Sequence, residues 1–331
     1  MAPVTLTLEK ERVNMKVVTR AVIALLAMAI IGSPVMAQGE QLEEVTLATL
    51  APSALLWLHA IAADQDFYAA NGVKIKAVQA QSSSALAQAV STGSADAGVA
   101  LGDNVMRAID EGAPIIMTGA ILSKPILRLI GTTETVEELA GKRITGGAVT
   151  GGTTELLLYQ LLQHGVSPDQ VQVVGIPNSR DRLVGFQNGQ LEGGLLIAPF
   201  DILALREGYN LLDVYTDYWV ETPLIVNTKW AEANPSAARG VTRAFADAAA
   251  WIYEPENREE SVRILAEYTG IDADIVEDAY DFIIVEQQAV SPDLTVPADG
   301  LRNILVISQA VHGGDMPEFN LSDYYDGSYL E

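Results

Sequence analysis

Apolar and polar positions alternate in "EVTLATLA" (Glu44–Ala51) and "VKIKAVQA" (Val73–Ala80), which predicts two strands. Between them "ALLWLHAIAADQDFYAANG" carries apolar residues at helical spacing and stops at Gly72. The succession continues with a helix over "ALAQAVSTG", a short buried strand in "ADAGVALG" (Ala95–Gly102), a helix over "VMRAIDEG" and a buried strand in "PIIMTGAIL" (Pro114–Leu122). The second half repeats it. "KRITGGAV", "VQVVGIP" (Val171–Pro177) and "LEGGLLIAP" read as strands, with helices over "TTELLLYQLLQHG", "DRLVGFQNG" and "FDILALREG". Strands alternating with helices predict an α/β protein with mostly parallel sheets covered on both faces. After the apolar "PLIVNT" (Pro223–Thr228) the pattern changes to successive helices: "WAEANPSAARGVTRAFADAAAWIYEP", "NREESVRILAEYTG", "DADIVEDAYDFIIVEQQ" and "ADGLRNILVISQAVHGG".

"GSADAGVALGD" (Gly93–Asp103) and "GQLEGGLLIAP" (Gly189–Pro199) align without gaps, 96 residues apart. Each has a helix ending at glycine, an acid three residues on, a glycine two further, and a buried strand running into a loop. The correspondence predicts two lobes built alike. Residues 44–123 plus 222–331 are assigned to lobe one and 124–221 to lobe two, with crossings near Ser123–Arg128 and Asp217–Ile225. The helical tail is expected to wrap back on the first lobe.

At 331 residues the chain has room for two such bodies. Its start is of another kind. Lys16 and Arg20 precede the unbroken apolar run "AVIALLAMAII" (Ala21–Ile31), and "GSPVMA" follows with small residues at Val35 and Ala37. This is the pattern of a cleavable export signal over residues 1–37, cut after Ala37, with Met15 a possible true start. The run is too short for a permanent membrane span. Forty-three acidic against 20 basic residues give a net charge of −23, which excludes a nucleic-acid groove and describes a solvated, repulsive surface. There is no cysteine. Disulfides, thiol chemistry, cysteine–zinc sites and a lipid-bearing cysteine after the signal are thereby excluded. An exported, acidic, cysteine-free monomer without a lipid anchor fits the bacterial periplasm.

Catalytic constellations come up short. His59, His164 and His312 stand in separate elements without metal-ligand spacing and are assigned structural or surface roles. No nucleophile elbow, phosphate loop or metalloprotease motif occurs. The acid–base neighbours in "GDNVMR" and "RDRL" read as surface ion pairs on helices. No cofactor or metal is expected, and the chain reads as a binding protein, not an enzyme. What the sequence offers is helix starts preceded by small hydroxyl residues and glycine: "QSSSAL" with Ser82, Ser83 and Ser84, and "TGGTTE" with Thr150, Gly152, Thr153 and Thr154. Free backbone N–H groups, hydroxyls and the positive end of a helix suit anionic oxygens, and glycine lets a ligand approach the backbone. Serine and threonine are also ordinary helix caps. One such start per lobe, each at a strand's carboxyl end, predicts a two-sided clamp. Trp57, Phe200 and Trp219 are candidates to enclose or stack on a ligand. Asp103 and Asn104 occupy the loop equivalent to Phe200, and Ser53, Ser123 and Asn178 complete the candidate set.

Three stretches, "DFYAANGVKIKAVQAQSSSALAQAVSTGSADAGVALGDN" (Asp66–Asn104), "VEELAGKRITGGAVTGGTTELLLYQLL" (Val136–Leu162) and "RLVGFQNGQLEGGLLIAPF" (Arg182–Phe200), carry a resemblance. In order and spacing the chain resembles the periplasmic substrate-binding proteins of ABC importers, of the nitrate/sulfonate/taurine type that also includes thiamine-pyrimidine binders. The resemblance implies the two-lobed (type II) periplasmic-binding-protein fold. It also implies a ligand between the lobes and delivery to an inner-membrane ABC permease after hinge closure. It places the ligand's acid group against Ser82–Ser84 and the Thr150–Thr154 loop. Ala198-Pro199-Phe200 stands where many members carry Trp-Asp-Pro-aromatic, and losing that acid weakens the case for an amine-bearing ligand such as taurine. The related pyrimidine synthases depend on a cysteine-rich motif absent here. A small organic anion, sulfonate- or carboxylate-like, is the leading ligand class. A pyrimidine-like heterocycle stacked by Trp57, Phe200 and Trp219 is the alternative, an exported enzyme the remote one, and sensing is not separated from delivery.

Overall fold

The computed structural model describes residues 42–331; the export signal assigned to residues 1–37 lies outside the described residues. Ten strands are present in that part: β1 (Glu43–Thr49), β2 (Val73–Gln79), β3 (Ala97–Val99), β4 (Ile115–Leu122), β5 (Leu127–Gly131), β6 (Arg143–Thr145), β7 (Gln172–Val173), β8 (Gly193–Ile197), β9 (Asn210–Val214) and β10 (Thr222–Asn227). The α-helices are α1 (Trp57–Asp64), α2 (Phe67–Ala70), α3 (Ser83–Ser91), α4 (Gly102–Asp110), α5 (Gly152–Gln163), α6 (Ser179–Gln187), α7 (Phe200–Arg206), α8 (Thr228–Ala233), α9 (Pro235–Ile252), α10 (Arg258–Thr269), α11 (Ala273–Tyr280) and α12 (Ala298–His312).

The strands form two sheets of the same design, β2-β1-β3-β10-β4 and β7-β6-β8-β5-β9. In the first, parallel ladders join β1 to β2 and β3, and antiparallel ladders join β10 to β3 and β4. The second repeats this, with β6 parallel to β7 and β8, and β5 antiparallel to β8 and β9. In each sheet the reversed strand directly follows a crossing from the other sheet. A chain arriving from the opposite body enters at the ends where the parallel strands finish, so it must run against them. The sequence pattern showed neither β5 nor β9, and it extended β7 well beyond Gln172–Val173.

The 96-residue correspondence reaches further than the aligned stretch, back to the starts of α3 and α6. Ser82 Oγ accepts the N–H of Ala85 at 3.2 Å, and Asn178 Oδ1 accepts that of Asp181 at 2.9 Å. One residue on, Ser83 Oγ accepts the N–H of Leu101 at 2.8 Å and Ser179 Oγ that of Ile197 at 3.2 Å. Each serine therefore ties the start of its helix to the carboxyl end of the neighbouring central strand. On β3, Gly98 lets α3 lie close: a Cβ there would stand 2.6 Å from Leu86 Cδ2.

The two crossings are bonded to one another. Glu221 N–H donates to Leu122 O and Trp219 N–H to Ser123 O, both at 3.0 Å. Ile126 N–H donates to Glu221 Oε2 at 2.6 Å. The helical tail closes over them, with Ser123 N–H on Ala289 O (2.8 Å), and α9 lies on the first sheet, where Thr242 Oγ1 donates to Thr118 Oγ1 at 3.0 Å. On the other side Arg128 of β5 faces Asp201 of α7 at 3.3 Å, and its guanidinium stacks 3.7 Å from the ring of Phe282, in the π-turn that follows α11.

Candidate ligand groove

A groove of about 570 Å³ lies where the two lobes face each other. Its walls are the segments that leave the carboxyl ends of β1, β3, β6 and β8, where open α/β sheets place ligands. The first lobe gives Ser53, the α3 start with Ser82, Ser83 and Ser84, Asn104 of α4, and Tyr268 and Thr269 of α10. The second lobe gives the turn Gly147–Ala148, Gly151–Thr153, the α6 start with Asn178–Arg182, and Phe200. The crossings add Leu127 and Glu221.

Of the residues singled out from sequence, Ser53, Ser82, Ser83, Ser84, Asn104, Gly152, Thr153, Asn178 and Phe200 meet on this groove. Six do not. Trp57 is buried edge-on to Tyr280 and its indole N–H donates to Ser261 O at 3.0 Å. Trp219 is buried in the main core. Of the three expected stackers only Phe200 faces the groove. Ser123 lines a separate cavity of about 480 Å³ behind the crossings, with Lys124 and Tyr218. The Thr154 hydroxyl donates to Ala148 O at 2.7 Å, and the Thr150 carbonyl accepts from Arg107 at 3.4 Å.

The sixth, Asp103, corrects the clamp read from sequence. Its Oδ2 accepts the Gly152 N–H at 2.7 Å, so the chain's own carboxylate already sits on the N-terminus of α5. A Cβ on Gly152 would overlap the Asp103 side chain, so the glycine makes room for this aspartate. Asp103 is 4% exposed. Burial pushes its carboxyl up, while the Gly152 N–H and Arg107, 3.7 Å away, pull it down. Glu155 and His312, 3.0 Å apart, continue the contact between α5 and the first lobe. Asp103→Ala leaves the buried Gly152 N–H without an acceptor. We expect a loss of about 1–3 kcal/mol in urea unfolding, and Gly152→Val should lose at least as much by displacing Asp103.

The partner of "QSSS" across the groove is accordingly "PNSR" (Pro177–Arg180), its equivalent at 96 residues' distance. The first N–H groups of α3 and α6 have no carbonyl to meet within their helices, so both starts present donors to the groove. Two arginines stand beside them. Arg180 is exposed, with its guanidinium 5.6 Å from the Phe200 ring. Arg182 is buried and donates to the carbonyls of Ile176 (2.8 Å), Leu195 (2.6 Å) and Pro177 (2.9 Å). Burial lowers it to about 10, opposed by the charge of Glu221. The reading of "RDRL" as a surface ion pair is thus overturned: Asp181 is bonded by Asn178 Nδ2 at 2.7 Å, and both arginines line the groove. Glu221, Tyr268 and Thr269 were not singled out from sequence, and Arg180 and Arg182 were read only as surface charges of "RDRL". Extending the alignment backward by nine residues, from Gly189, would have reached Arg180; nothing local marks Glu221.

Residues 59–258, more than half of the chain, match the model of the NMT1/THI5-like family. The chain belongs to that family. No curated protein sequence matches it. Among solved structures, a protein of Bordetella bronchiseptica superposes with TM-score 0.73 at 18% identity, over 88% of this chain and 96% of that one. The alkanesulfonate-binding protein of Xanthomonas axonopodis pv. citri, bound to MOPS, gives 0.66 at 18%, over 83% and 94%. The nitrate-binding protein of Synechocystis gives 0.63 at 15%, over 73% and 70%. These establish the periplasmic-binding-protein fold for this member of the NMT1/THI5-like family, with the expected two-sheet α/β architecture.

Proposed function

We propose that the protein is a periplasmic receptor for a small organic anion, sulfonate- or carboxylate-like, which it delivers to an ABC import permease by closing its lobes on the ligand. The observation that carries this reading is the facing pair of helix starts, α3 and α6, at the strands' carboxyl ends, with Arg180 beside the second. Ser82–Ser84, Asn104, Thr153 and Asn178–Arg180 are the proposed contacts. Backbone donors and hydroxyls hold the acid group, and Arg180 supplies the counter-charge in a chain that is otherwise strongly acidic. The export signal over residues 1–37 accords with a periplasmic role, and the fold neighbours that bind alkanesulfonates and nitrate accord with an anionic ligand.

A melting-shift panel of sulfonates, carboxylates and pyrimidines tests the ligand class. A ligand at 100 times its dissociation constant stabilises the fold by about 2.7 kcal/mol. Arg180→Ala should weaken an anionic ligand about tenfold, roughly 1.4 kcal/mol, with the unliganded melting temperature unchanged. A shift from pyrimidines alone would replace this reading.

A further inference from the structure

One flank of the groove is held together by the chain itself. Helix α4 leads from β3 to β4 of the first sheet and α5 from β6 to β7 of the second, yet their starts are bonded to each other. Gly102 N–H donates to Glu221 O at 3.0 Å, and a Cβ there would overlap Val220 O, so α4 begins pressed against the second crossing. The next residue, Asp103, thereby stands opposite the α5 start, where its Oδ2 takes the Gly152 N–H at 2.7 Å. Asn104 Nδ2 donates to both oxygens of that carboxylate, at 3.1 and 3.0 Å, and steadies it. The seam continues one turn along α4, where Arg107 Nη1 donates to Thr150 O at 3.4 Å, and His312 of α12 meets Glu155 of α5. The opposite flank is of another kind. There Arg206 of α7 pairs with Asp274 (2.6 Å) and Asp278 (2.7 Å) of α11, all three exposed. Exposed pairs add little in water, whereas a buried carboxylate on a backbone N–H at a helix start shifts an equilibrium about tenfold or more.

We propose that Asp103 is a built-in anion that latches the two lobes together along the α4–α5 flank before any ligand arrives. The latch rests on the anion-receptor reading for the closing motion. It adds that the α5 start, unlike those of α3 and α6, is served by the chain's own carboxylate. Any separation of α4 from α5 has to break a 2.7 Å bond and uncover that carboxylate, so this flank stays shut. The groove remains accessible meanwhile, because Ser82, Ser84, Asn178 and Arg180 on its two rims are exposed. The ligand therefore meets lobes already brought together, and the binding free energy that closure would consume is kept as affinity. Removing the latch lowers the binding-competent fraction, and the apparent affinity falls by the same factor.

Because the chain has no cysteine, Gln88→Cys on α3 and Val184→Cys on α6 place spin labels at those two positions only. Both residues are exposed, and they are equivalents 96 residues apart on the two helices whose starts face each other across the groove. Pulsed electron-spin distance measurements on the ligand-free labelled protein should give one narrow distribution. Asp103→Ala in the same background should give a longer and broader one. The anions of the melting-shift panel are the probes: one that binds should scarcely move the parent's distance and should restore the short distance in Asp103→Ala, with an apparent affinity about tenfold weaker. The parent gives a readout that does not depend on the variant folding: a broad or long ligand-free distribution overturns the latch. An Asp103→Ala distribution identical to the parent's overturns it as well. Either result leaves the receptor standing as long as an anion binds. If Asp103→Ala opens and no anion of the panel binds either protein, the latch stands and the receptor reading fails.

Discussion

The stability of the ligand-free protein will fall as pH rises from about 4.5 to about 8, and Glu221→Gln will remove most of that fall. Burial raises the Glu221 carboxyl to about 8 from an ordinary 4.5, with the Ile126 N–H and the charge of Arg182 opposing. In the unfolded chain the group loses its proton near 4.5, whereas the folded protein keeps it until about 8. Between those values the native state binds more protons, so stability declines with pH. The stabilising contribution is fully present below the unfolded value and gone above the folded one. A difference of that size corresponds to at most about 5 kcal/mol. Asp201, raised to about 6 chiefly by burial, and Asp103, raised likewise, add slopes of the same sign, while buried His59, lowered to about 4 by burial, opposes them below its ordinary value of 6.5. Urea midpoints at pH 5, 7 and 8.5 for wild type and Glu221→Gln measure the effect. Parallel profiles would assign the decline to the other two carboxylates.

The second large effect concerns Arg128 and Asp201. Asp201 is fully buried and neither of its oxygens makes a hydrogen bond among the described residues; the Arg128 guanidinium at 3.3 Å is its charge partner. Arg128 also covers the Phe282 ring at 3.7 Å, joining β5 to the helical tail. Arg128→Leu strands a buried charge and removes the stacking, and should cost about 3–5 kcal/mol. Asp201→Asn in the same chain removes the stranded charge and should restore part of the loss, because a neutral amide suffers a smaller burial penalty. Denaturant unfolding of the two single variants and the double gives the coupling between them. Additive losses would mean the two side chains act independently and the pair carries no charge compensation.

Much of the site's frame was readable along the chain because it is local. Strand and helix periods, glycine stops and the caps Ser82 and Asn178 are set by neighbours a few residues away. The 96-residue repeat followed because both lobes solve the same packing problem: a helix fastened by a serine to the end of a central strand. Aromatic residues misled, since a tryptophan one turn into a helix looks the same whether it faces a groove, or the core as Trp57 does.

What the sequence by itself determined was the alternation of elements, the two-fold repetition, the hydroxyl-rich helix starts and the exclusion of thiol chemistry and cysteine–zinc sites. Tertiary structure alone decided which helix starts are open. The α5 start is covered by Asp103, 49 residues earlier, whereas the α6 start is capped by its own neighbour Asn178. It also decided the place of Glu221, whose carboxylate meets Ile126 across 95 residues. A charge's meaning depends on burial and on what stands opposite, and both are fixed only when the chain crosses twice between its sheets.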